Sequence, residues 1–319
     1  MHMADALISP AVGGAAWAAT AGLTYYSARK LKGNPDEHIV PLMGVLGAFI
    51  FAAQMLNFTI PATGSSGHLA GGMILAILLG PYAAFITMAS VLTIQALFFA
   101  DGGLLALGCN IINLGFFPCF IAYPLIYRKI VGARPTRGRI LLGALAASIL
   151  ALQLGAFGAV LETLFSGVAA LPFSTFVLLM QPIHLAIGIV EGLVTAAVVS
   201  FVWQAHPEIL ALAPAAPTAR VHSHKPLWLG LALFAVVTGG ILSWFASTHP
   251  DGLEWVAKQQ GFLTTAQSTP YRLIPNYVLP GISNASLATI LAGILGTLLV
   301  FGVAFAVAYW RRNHKETGL

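Results

Sequence analysis

The stretch from Ile140 to Leu164 reads ILLGALAASILALQLGAFGAVLETL and carries one charged side chain, that of Glu162. A helix needs about 20 apolar residues to cross the hydrocarbon core of a bilayer, and this stretch is long enough to do so. It predicts a transmembrane helix. A chain with such a helix is a membrane protein, so the rest of the sequence is interpreted with a bilayer as its surroundings.

The composition of the whole chain indicates the same class. Of its 319 residues, 58% are hydrophobic and only 8% are charged, and the mean hydropathy is +0.86. Soluble domains carry about a quarter charged residues, so we expect an all-α integral membrane protein surrounded by the lipid bilayer. The net charge of +5 is distributed over loops between apolar stretches, which argues against a nucleic-acid partner. Cys109 and Cys119 share one apolar stretch and do not indicate a disulfide framework.

Apolar stretches separated by polar or Gly/Pro interruptions predict about nine transmembrane helices. The third is short and is broken by Gly80-Pro81, because proline removes a backbone donor and restricts the residue before it. Between 206 and 225 the composition shifts to Pro, Ala, Ser and His, which is typical of a linker. The linker separates a seven-helix module at 1–205 from a two-helix module at 226–319. The predicted helices cover about 9–27, 41–60, 69–79, a fourth to 99, a fifth to 127, and then 140–164, 176–202, 227–245 and 287–310.

The basic residues are concentrated in alternate loops. If the N-terminus is outside, the inner loops hold 13 of the 15 Lys and Arg residues, and only Lys258 and Arg272 lie outside. The positive-inside rule therefore predicts an external N-terminus and a cytoplasmic C-terminus. The same orientation places the first residues of the chain and His68 on one side of the membrane.

The first two residues offer three nitrogens to a metal ion. A free α-amine on Met1, the peptide nitrogen of His2 and the His2 imidazole can close around one ion as two fused chelate rings. We expect Met1 to be retained, because the basic region of a signal peptide is absent. A fourth nitrogen would complete a square plane, which favours Ni²⁺ or Cu²⁺ over the tetrahedral preference of Zn²⁺. His68, in the loop SSGH at 65–68, is the candidate for it, and a histidine without a metal role at position 2 is the alternative.

Polar side chains within apolar stretches are costly in a membrane and indicate either function or hydrogen bonds between helices. Three pairs have a spacing that places both members on one helix face. They are Gln54 with Asn57, Asn110 with Asn113, and His184 with Glu191. Together with Gln95 they are candidates for orienting the metal ligands and setting the tautomer of an imidazole.

Three separated motifs carry a resemblance to a known family. They are MHMADALISP at 1–10, QMLN at 54–57 followed by GSSGHLAGG at 64–72, and IQAL at 94–97 leading to DGG at 101–103. In this order, over about 1–205, they resemble the substrate-binding membrane subunit of nickel/cobalt energy-coupling-factor (ECF) transporters, the NikM/CbiM type. HPDGLEW at 249–255 and PNYVLPG at 275–281 resemble the small NikN-type subunit with its PDGLE motif.

This resemblance implies a multi-pass protein of the prokaryotic cell membrane that takes up Ni²⁺ or Co²⁺ as its substrate, with no resident cofactor. It implies that the amine of Met1, the backbone nitrogen and imidazole of His2, and the imidazole of His68 bind the ion in a square plane. Nickel is slightly favoured, because Ni²⁺ displaces an amide proton more readily than Co²⁺ does. Affinity is expected to fall with pH, since protons compete for the same nitrogens.

The energy for transport is expected to come from other subunits. The chain contains no Gly-Lys pair and so no G-x-x-x-x-G-K-[ST] phosphate loop, and we do not expect it to be an enzyme. The resemblance implies a membrane coupling subunit and ATPase subunits as partners. The NikN-like module is expected to act in loading or release, and His249, Asp251 and Glu254 are candidates for a transient contact with the ion. A docking surface is the alternative for these three.

Two other classes of function are left open. A membrane-embedded metalloenzyme would use His68, His184 and Glu191 around zinc, but no H-E-x-x-H or comparable motif occurs. A carrier driven by an ion gradient would show internal repeats, and none is evident between the two halves. Zinc-dependent turnover of a peptide or lipid would indicate the enzyme, and transport without an ATPase partner would indicate the carrier.

Overall fold

The computed structural model shows a bundle of helices and one short β-hairpin. It describes residues 2–32, 39–61, 63–168, 172–205, 225–240, 247, 249–259 and 273–316. The helices are α1 (Pro10–Lys32), α2 (Ile39–Gln54), α3 (Gly72–Leu79), α4 (Pro81–Phe99), α5 (Leu107–Val131), α6 (Arg137–Ser166), α7 (Phe173–Ala205), α8 (Lys225–Gly240), α9 (Gly252–Gln259) and α10 (Ala285–Glu316). Strands β1 (Phe58–Ile60) and β2 (Ser65–Gly67) form the hairpin, and 3₁₀ turns lie at Asp5–Leu7 and Pro275–Tyr277.

Several of these helices are long and apolar enough to cross a membrane. Within the described residues there are five, namely α4, α5, α6, α7 and the segment Ala285–Val303 of α10, while α2 is apolar but has only 16 residues. The chain is therefore a multi-pass membrane protein, as its composition predicts. The count of nine spans and the orientation of the termini stay predictions. The predicted linker lies, apart from residue 225, outside the described residues.

The second apolar stretch differs from its prediction. The sequence predicts a helix to about residue 60, but α2 ends at Gln54, so Asn57 lies beyond it and does not share a helix face with Gln54. Residues 58–60 instead pair with 65–67 as antiparallel strands, so the fold is not purely helical. The hairpin continues into the second module, because the N–H of Ser66 donates to the carbonyl of Pro250 at 2.8 Å. Hydrophobic periodicity cannot distinguish a short apolar strand from the end of a helix.

Helix α3 is a half-helix buried along its whole length. Gly71 and Gly80 flank it with φ angles of 78° and 75°, and Pro81 begins α4. The predicted short helix and the break at Gly80-Pro81 are therefore confirmed. The first N–H groups of a helix have no partner within it, and here they are buried, so other parts of the protein must satisfy them.

Helices α6 and α7 form the most extensive helix–helix contact. Gly188 and Gly192 of α7 are four residues apart and face α6. A Cβ on Gly192 would lie 2.7 Å from the Cα of Leu145, and one on Gly188 would lie 3.0 Å from the Cα of Ile149. Small residues at this spacing let helix backbones approach closely in a membrane, where van der Waals packing drives association.

Gly192→Ala is expected to lower thermal stability, because the added methyl group meets the backbone of α6 and overpacking costs about 1–3 kcal/mol. Gly138→Ala, in the first turn of α6, is the matched control, since a Cβ there meets nothing within 4 Å. Scanning fluorimetry in detergent should show a lower unfolding midpoint for the first variant and an equal or slightly higher one for the second. Equal midpoints for the two variants would contradict close packing.

Candidate metal centre

The amino-terminal segment is inserted into the protein. The side chain of Met3 is fully buried. Its N–H donates to Oδ1 of Asn110 at 2.8 Å, and its carbonyl accepts from Nδ2 of Asn110 at 3.2 Å and from the N–H of Gly103 at 2.9 Å. Oδ1 of Asp5 accepts from the N–H of Ala106 at 3.0 Å. These bonds fix the segment against the loop between α4 and α5 and against α5 itself.

Within this arrangement the ring of His2 faces that of His68. Their centroids are 5.1 Å apart and their planes are inclined by 24°. Nδ1 of His68 lies 3.0 Å from the carbonyl oxygen of Leu69 and donates to it, so a neutral His68 presents the lone pair of Nε2. The structure thus brings together the two imidazoles named from the sequence. Met1, the other residue of the predicted ligand set, lies outside the described residues.

A chain of hydrogen bonds sets the tautomer of His2. Nε2 of Gln54 donates to the carbonyl of Ala70 at 2.8 Å, so Oε1 of Gln54 accepts from Nε2 of Gln95 at 2.7 Å. Oε1 of Gln95 then lies 3.2 Å from Nε2 of His2, and this nitrogen must be the donor. A neutral His2 therefore carries its lone pair on Nδ1. Nδ1 is also the ring nitrogen that closes a six-membered chelate ring with the His2 backbone nitrogen.

Burial keeps both imidazoles neutral. It lowers the pKa of His2 below its ordinary value, against the opposing attraction of the carboxylates of Asp101 and Asp251. Burial is also the main reason why the pKa of His68 is lowered to about 3. A metal ion binds the neutral form of imidazole, so both rings are in their binding form at neutral pH.

A cavity of about 580 Å³ adjoins the two histidines. Its wall includes the carboxylates of Asp101, Asp251 and Glu254. Oδ1 of Asp101 lies 3.4 Å from Nδ1 of His2. Acidic groups that line a cleft with low-dielectric walls focus their field into it and raise the local concentration of cations.

The carboxylate of Glu191 accepts hydrogen bonds from the loop that carries His68. Its Oε2 accepts from the N–H of Ala70 at 2.7 Å, and the N–H groups of Gly71 and Met73 also bond to this carboxylate. These groups lie at the N-terminus of α3, where the helix leaves its N–H groups unpaired and favours negative charge. Glu191 therefore ties the start of α3 to α7.

His184 is separate from this carboxylate interaction. Its Nδ1 lies 2.8 Å from the carbonyl oxygen of Met180, and its Nε2 is buried without a hydrogen-bond partner among the described residues. With His68 and Asp251 it lines a cavity of about 10 Å³, about the size that holds one water molecule. In the part of the chain that the structure describes, no three His, Cys, Asp or Glu side chains are arranged to hold a metal ion. His68, His184 and Glu191 thus do not form the zinc centre that the enzyme alternative requires.

The remaining predicted residues lie around the same site. Asn113 donates to Oε2 of Glu162 at 2.7 Å and lies 3.8 Å from the sulfur of Met3. Asn57 and His249 line the larger cavity. The role of each of these residues in metal binding stays a prediction.

Sequence reasoning missed two residues. Its motifs included both Asp101 and Tyr277, but neither residue was given a role in the site. An acidic residue beside two glycines, in a loop between apolar stretches, is a signal that would have found Asp101. Tyr277 carries no comparable signal, because its importance depends on which residue its hydroxyl reaches.

Comparison with known proteins identifies the family. Residues 2–209 match the family model CbiM, the cobalt uptake substrate-specific transmembrane region, and residues 225–313 match the PDGLE domain. The chain belongs to the CbiM family. The resemblance drawn from the sequence motifs is thereby confirmed, including the fusion of a PDGLE module to the CbiM-type region.

Individual relatives agree with this family assignment. A NikMN protein of Archaeoglobus fulgidus is 33% identical over 98% of this chain and 100% of its own length. The fused nickel transport protein NikMN of Rhodobacter capsulatus is 33% identical over 94% of this chain and 95% of its own. A crystal structure of a truncated transition metal transporter has 30% identity and a TM-score of 0.57, and the match covers 65% of this chain and all of that one.

Gly103→Ala is expected to release the amino-terminal segment of this CbiM-family chain, because a Cβ on Gly103 would overlap Asp5. Hydrogen exchange followed by mass spectrometry should show loss of protection, about tenfold or more, in peptides covering residues 2–8. Gly14→Ala is the matched control, since a Cβ on Gly14 meets nothing within 4 Å. Full protection in the Gly103 variant would mean that the close approach of the segment to this loop is not required.

Proposed function

We propose that this chain is the substrate-binding subunit of an ECF-type transporter that takes up Ni²⁺ or Co²⁺, with nickel slightly favoured. Four nitrogens hold the ion in a square plane: the α-amine of Met1, the backbone nitrogen and Nδ1 of His2, and Nε2 of His68. The ion is the transported substrate, and the ligands bind it on the external side of the membrane.

The facing imidazoles of His2 and His68 carry this proposal. The three nitrogens of the amino-terminal chelate occupy adjacent corners of the square, so the His68 nitrogen falls on the corner next to Nδ1 of His2. With metal–nitrogen bonds of about 2 Å, imidazoles on adjacent corners have centroids about 4–5 Å apart. The separation of 5.1 Å supports this arrangement after a small adjustment.

The donor set also bears on the choice of ion. A square plane of nitrogens suits Ni²⁺ or Cu²⁺, whereas Zn²⁺ prefers a tetrahedron. Binding through a peptide nitrogen requires the ion to displace the amide proton, and this favours Ni²⁺ over Co²⁺. The name of the Rhodobacter capsulatus relative, a fused nickel transport protein, supports the same choice.

Energy for uptake comes, in this proposal, from a membrane coupling subunit and ATPase subunits that assemble with the chain. The PDGLE module acts on loading or release. Oγ of Ser66, two residues before His68, donates to the carbonyl of His249 at 2.7 Å, and the carboxylates of Asp251 and Glu254 line the cavity beside the site. In this proposal His249, Asp251 and Glu254 contact the ion transiently on its way to or from the four nitrogens, and their position on the cavity wall supports this.

Nickel titration of the purified full chain tests the ligand set. A several-residue extension before Met1 is expected to abolish tight binding, because it removes the free amine, and proteolytic removal of the extension that restores Met1 should recover it. The extension must exceed one residue, because a single added residue would place His at position 3 and create a different amino-terminal site. His68→Ala should weaken binding by more than about 100-fold, since even residues behind the ligands contribute 10–100-fold.

Cobalt titrated in parallel identifies the preferred ion of this site. Unchanged nickel affinity in the extended protein would exclude the terminal amine as a ligand. The search for a ligand would then move to His184, whose Nε2 is buried beside His68.

The pH dependence of binding is expected to come from the α-amine and the peptide nitrogen, because the pKa values of the two histidines are lowered. Burial lowers the pKa of both imidazoles, to about 3 for His68, so near neutral pH the rings are neutral and are not the source of the protons released when the ion binds. Two protons, from the α-amine and the peptide nitrogen, are released instead, and the dissociation constant should rise about 100-fold for each pH unit below the ordinary pKa of an amine, about 7.7–8.0. Calorimetry in buffers of different ionisation enthalpy counts these protons. Release of one proton or none at pH 6.5 would argue against the peptide nitrogen as a ligand.

A further inference from the structure

The second module reaches the metal centre through one tyrosine. The N–H of Ile274 donates to the carbonyl of Phe98 at 2.9 Å, and the ring of Tyr277 stacks on Phe99 with centroids 4.8 Å apart and planes inclined by 18°. The hydroxyl of Tyr277 donates to Oδ2 of Asp101 at 2.5 Å. A hydrogen bond to a carboxylate is among the stronger hydrogen bonds in proteins. It joins the turn at Pro275–Tyr277 to the loop that follows α4.

The backbone of this turn is unusual. Asn276 and Tyr277 have φ angles of 54° and 56°, in the left-handed region that residues other than glycine rarely adopt. Such conformations persist only where the surrounding contacts stabilise them, and they cluster at functional sites. Here the surrounding contacts are the stacked ring and the bonded hydroxyl of Tyr277.

The other oxygen of the same carboxylate faces the metal-binding histidine. Oδ1 of Asp101 lies 3.4 Å from Nδ1 of His2. Because Nε2 of His2 donates to Gln95, Nδ1 of the neutral ring carries a lone pair, and two electron-rich atoms face each other with no proton between them. A cation relieves this repulsion. Two donors that are each about 2 Å from one ion are about 2.8 Å apart at a right angle and about 3.3 Å apart at a tetrahedral angle, so these two atoms are close to the separation that a shared ion requires.

We propose that Tyr277 is a positioning residue for ion capture: its hydroxyl holds Asp101 so that Oδ1 meets the incoming ion beside Nδ1 of His2. The second module thereby sets the rate at which the ion reaches the four nitrogens. This inference rests on the metal-binding function proposed above and adds no ligand to the square plane. The side chain of Asp101 is 26% exposed, and without the tyrosine its carboxylate is free to turn toward water. Fixing a charged group in its binding position raises the association rate and the affinity.

Tyr277→Phe removes the hydroxyl and keeps the ring on Phe99. Nickel association with the full chain, followed by stopped-flow quenching of tryptophan fluorescence, is expected to slow about tenfold, the size expected for losing a hydrogen bond to a charged group. Asp101→Asn should slow it by at least as much. Tyr25→Phe is the matched control, because the Tyr25 side chain is 66% exposed on α1, and its rate should not change. Unfolding midpoints of all variants show whether each retains its fold.

The double variant tests whether Tyr277 acts through Asp101. In the Asp101→Asn background, Tyr277→Phe should have no further effect, because the carboxylate that it positions is gone, whereas independent structural effects would add. An unchanged rate in Tyr277→Phe, or additive effects in the double variant, would overturn the inference. His68→Ala in the same assay separates the two proposals. If wild type binds nickel and His68→Ala does not, an unaffected Tyr277 variant refutes only the coupling, whereas a wild type that binds no nickel refutes both.

Discussion

The paired hydrogen bonds on the backbone of Met3 are the interaction on which the candidate metal centre depends. A peptide group buried without partners costs more free energy than a typical hydrogen bond contributes, so this segment can enter the protein only if its N–H and carbonyl are both satisfied. The side chain of Asn110 bonds to both, and the N–H of Gly103 adds a second donor to the carbonyl. Because Met3 follows His2 directly, these bonds restrict the positions open to the His2 ring, and Gln95 selects its tautomer.

The loop that carries His68 is held in the same way. Ala70 donates to Glu191 and accepts from Gln54, so its peptide groups are also paired on both sides. Each histidine of the candidate site therefore lies within two residues of a backbone position that is hydrogen-bonded to a side chain from a helix. For His2 this position is Met3, bonded to Asn110, and for His68 it is Ala70, bonded to Glu191. The polar groups of an irregular backbone that is buried in protein must find hydrogen-bond partners. The same bonds that make these irregular segments stable also orient the two imidazoles.

The second module completes the surroundings of the site. The edge of the hairpin at Ser66 is covered by the backbone of Pro250, which protects N–H groups that an open strand edge would expose. The segment that follows places Asp251 and Glu254 on the cavity wall. Farther along the chain, Tyr277 reaches Asp101 from the same module. Hydrogen bonds to the first module thus hold both regions of the second module on the side where the histidines lie.

The sequence by itself determined the membrane class, the break at Gly80-Pro81, and the candidate pair His2 and His68, because hydropathy, proline geometry and donor chemistry are local properties. It also identified Gln54 and Gln95 as polar residues within apolar stretches that could orient the metal ligands. It placed Asn57, however, on a helix that ends three residues earlier. Only the tertiary structure decided which partner each polar side chain has. Gln95 and His2 are 93 residues apart, and Tyr277 and Asp101 are 176 apart. Contacts at such separations are set by how whole helices pack, and they leave no periodic signal in the sequence.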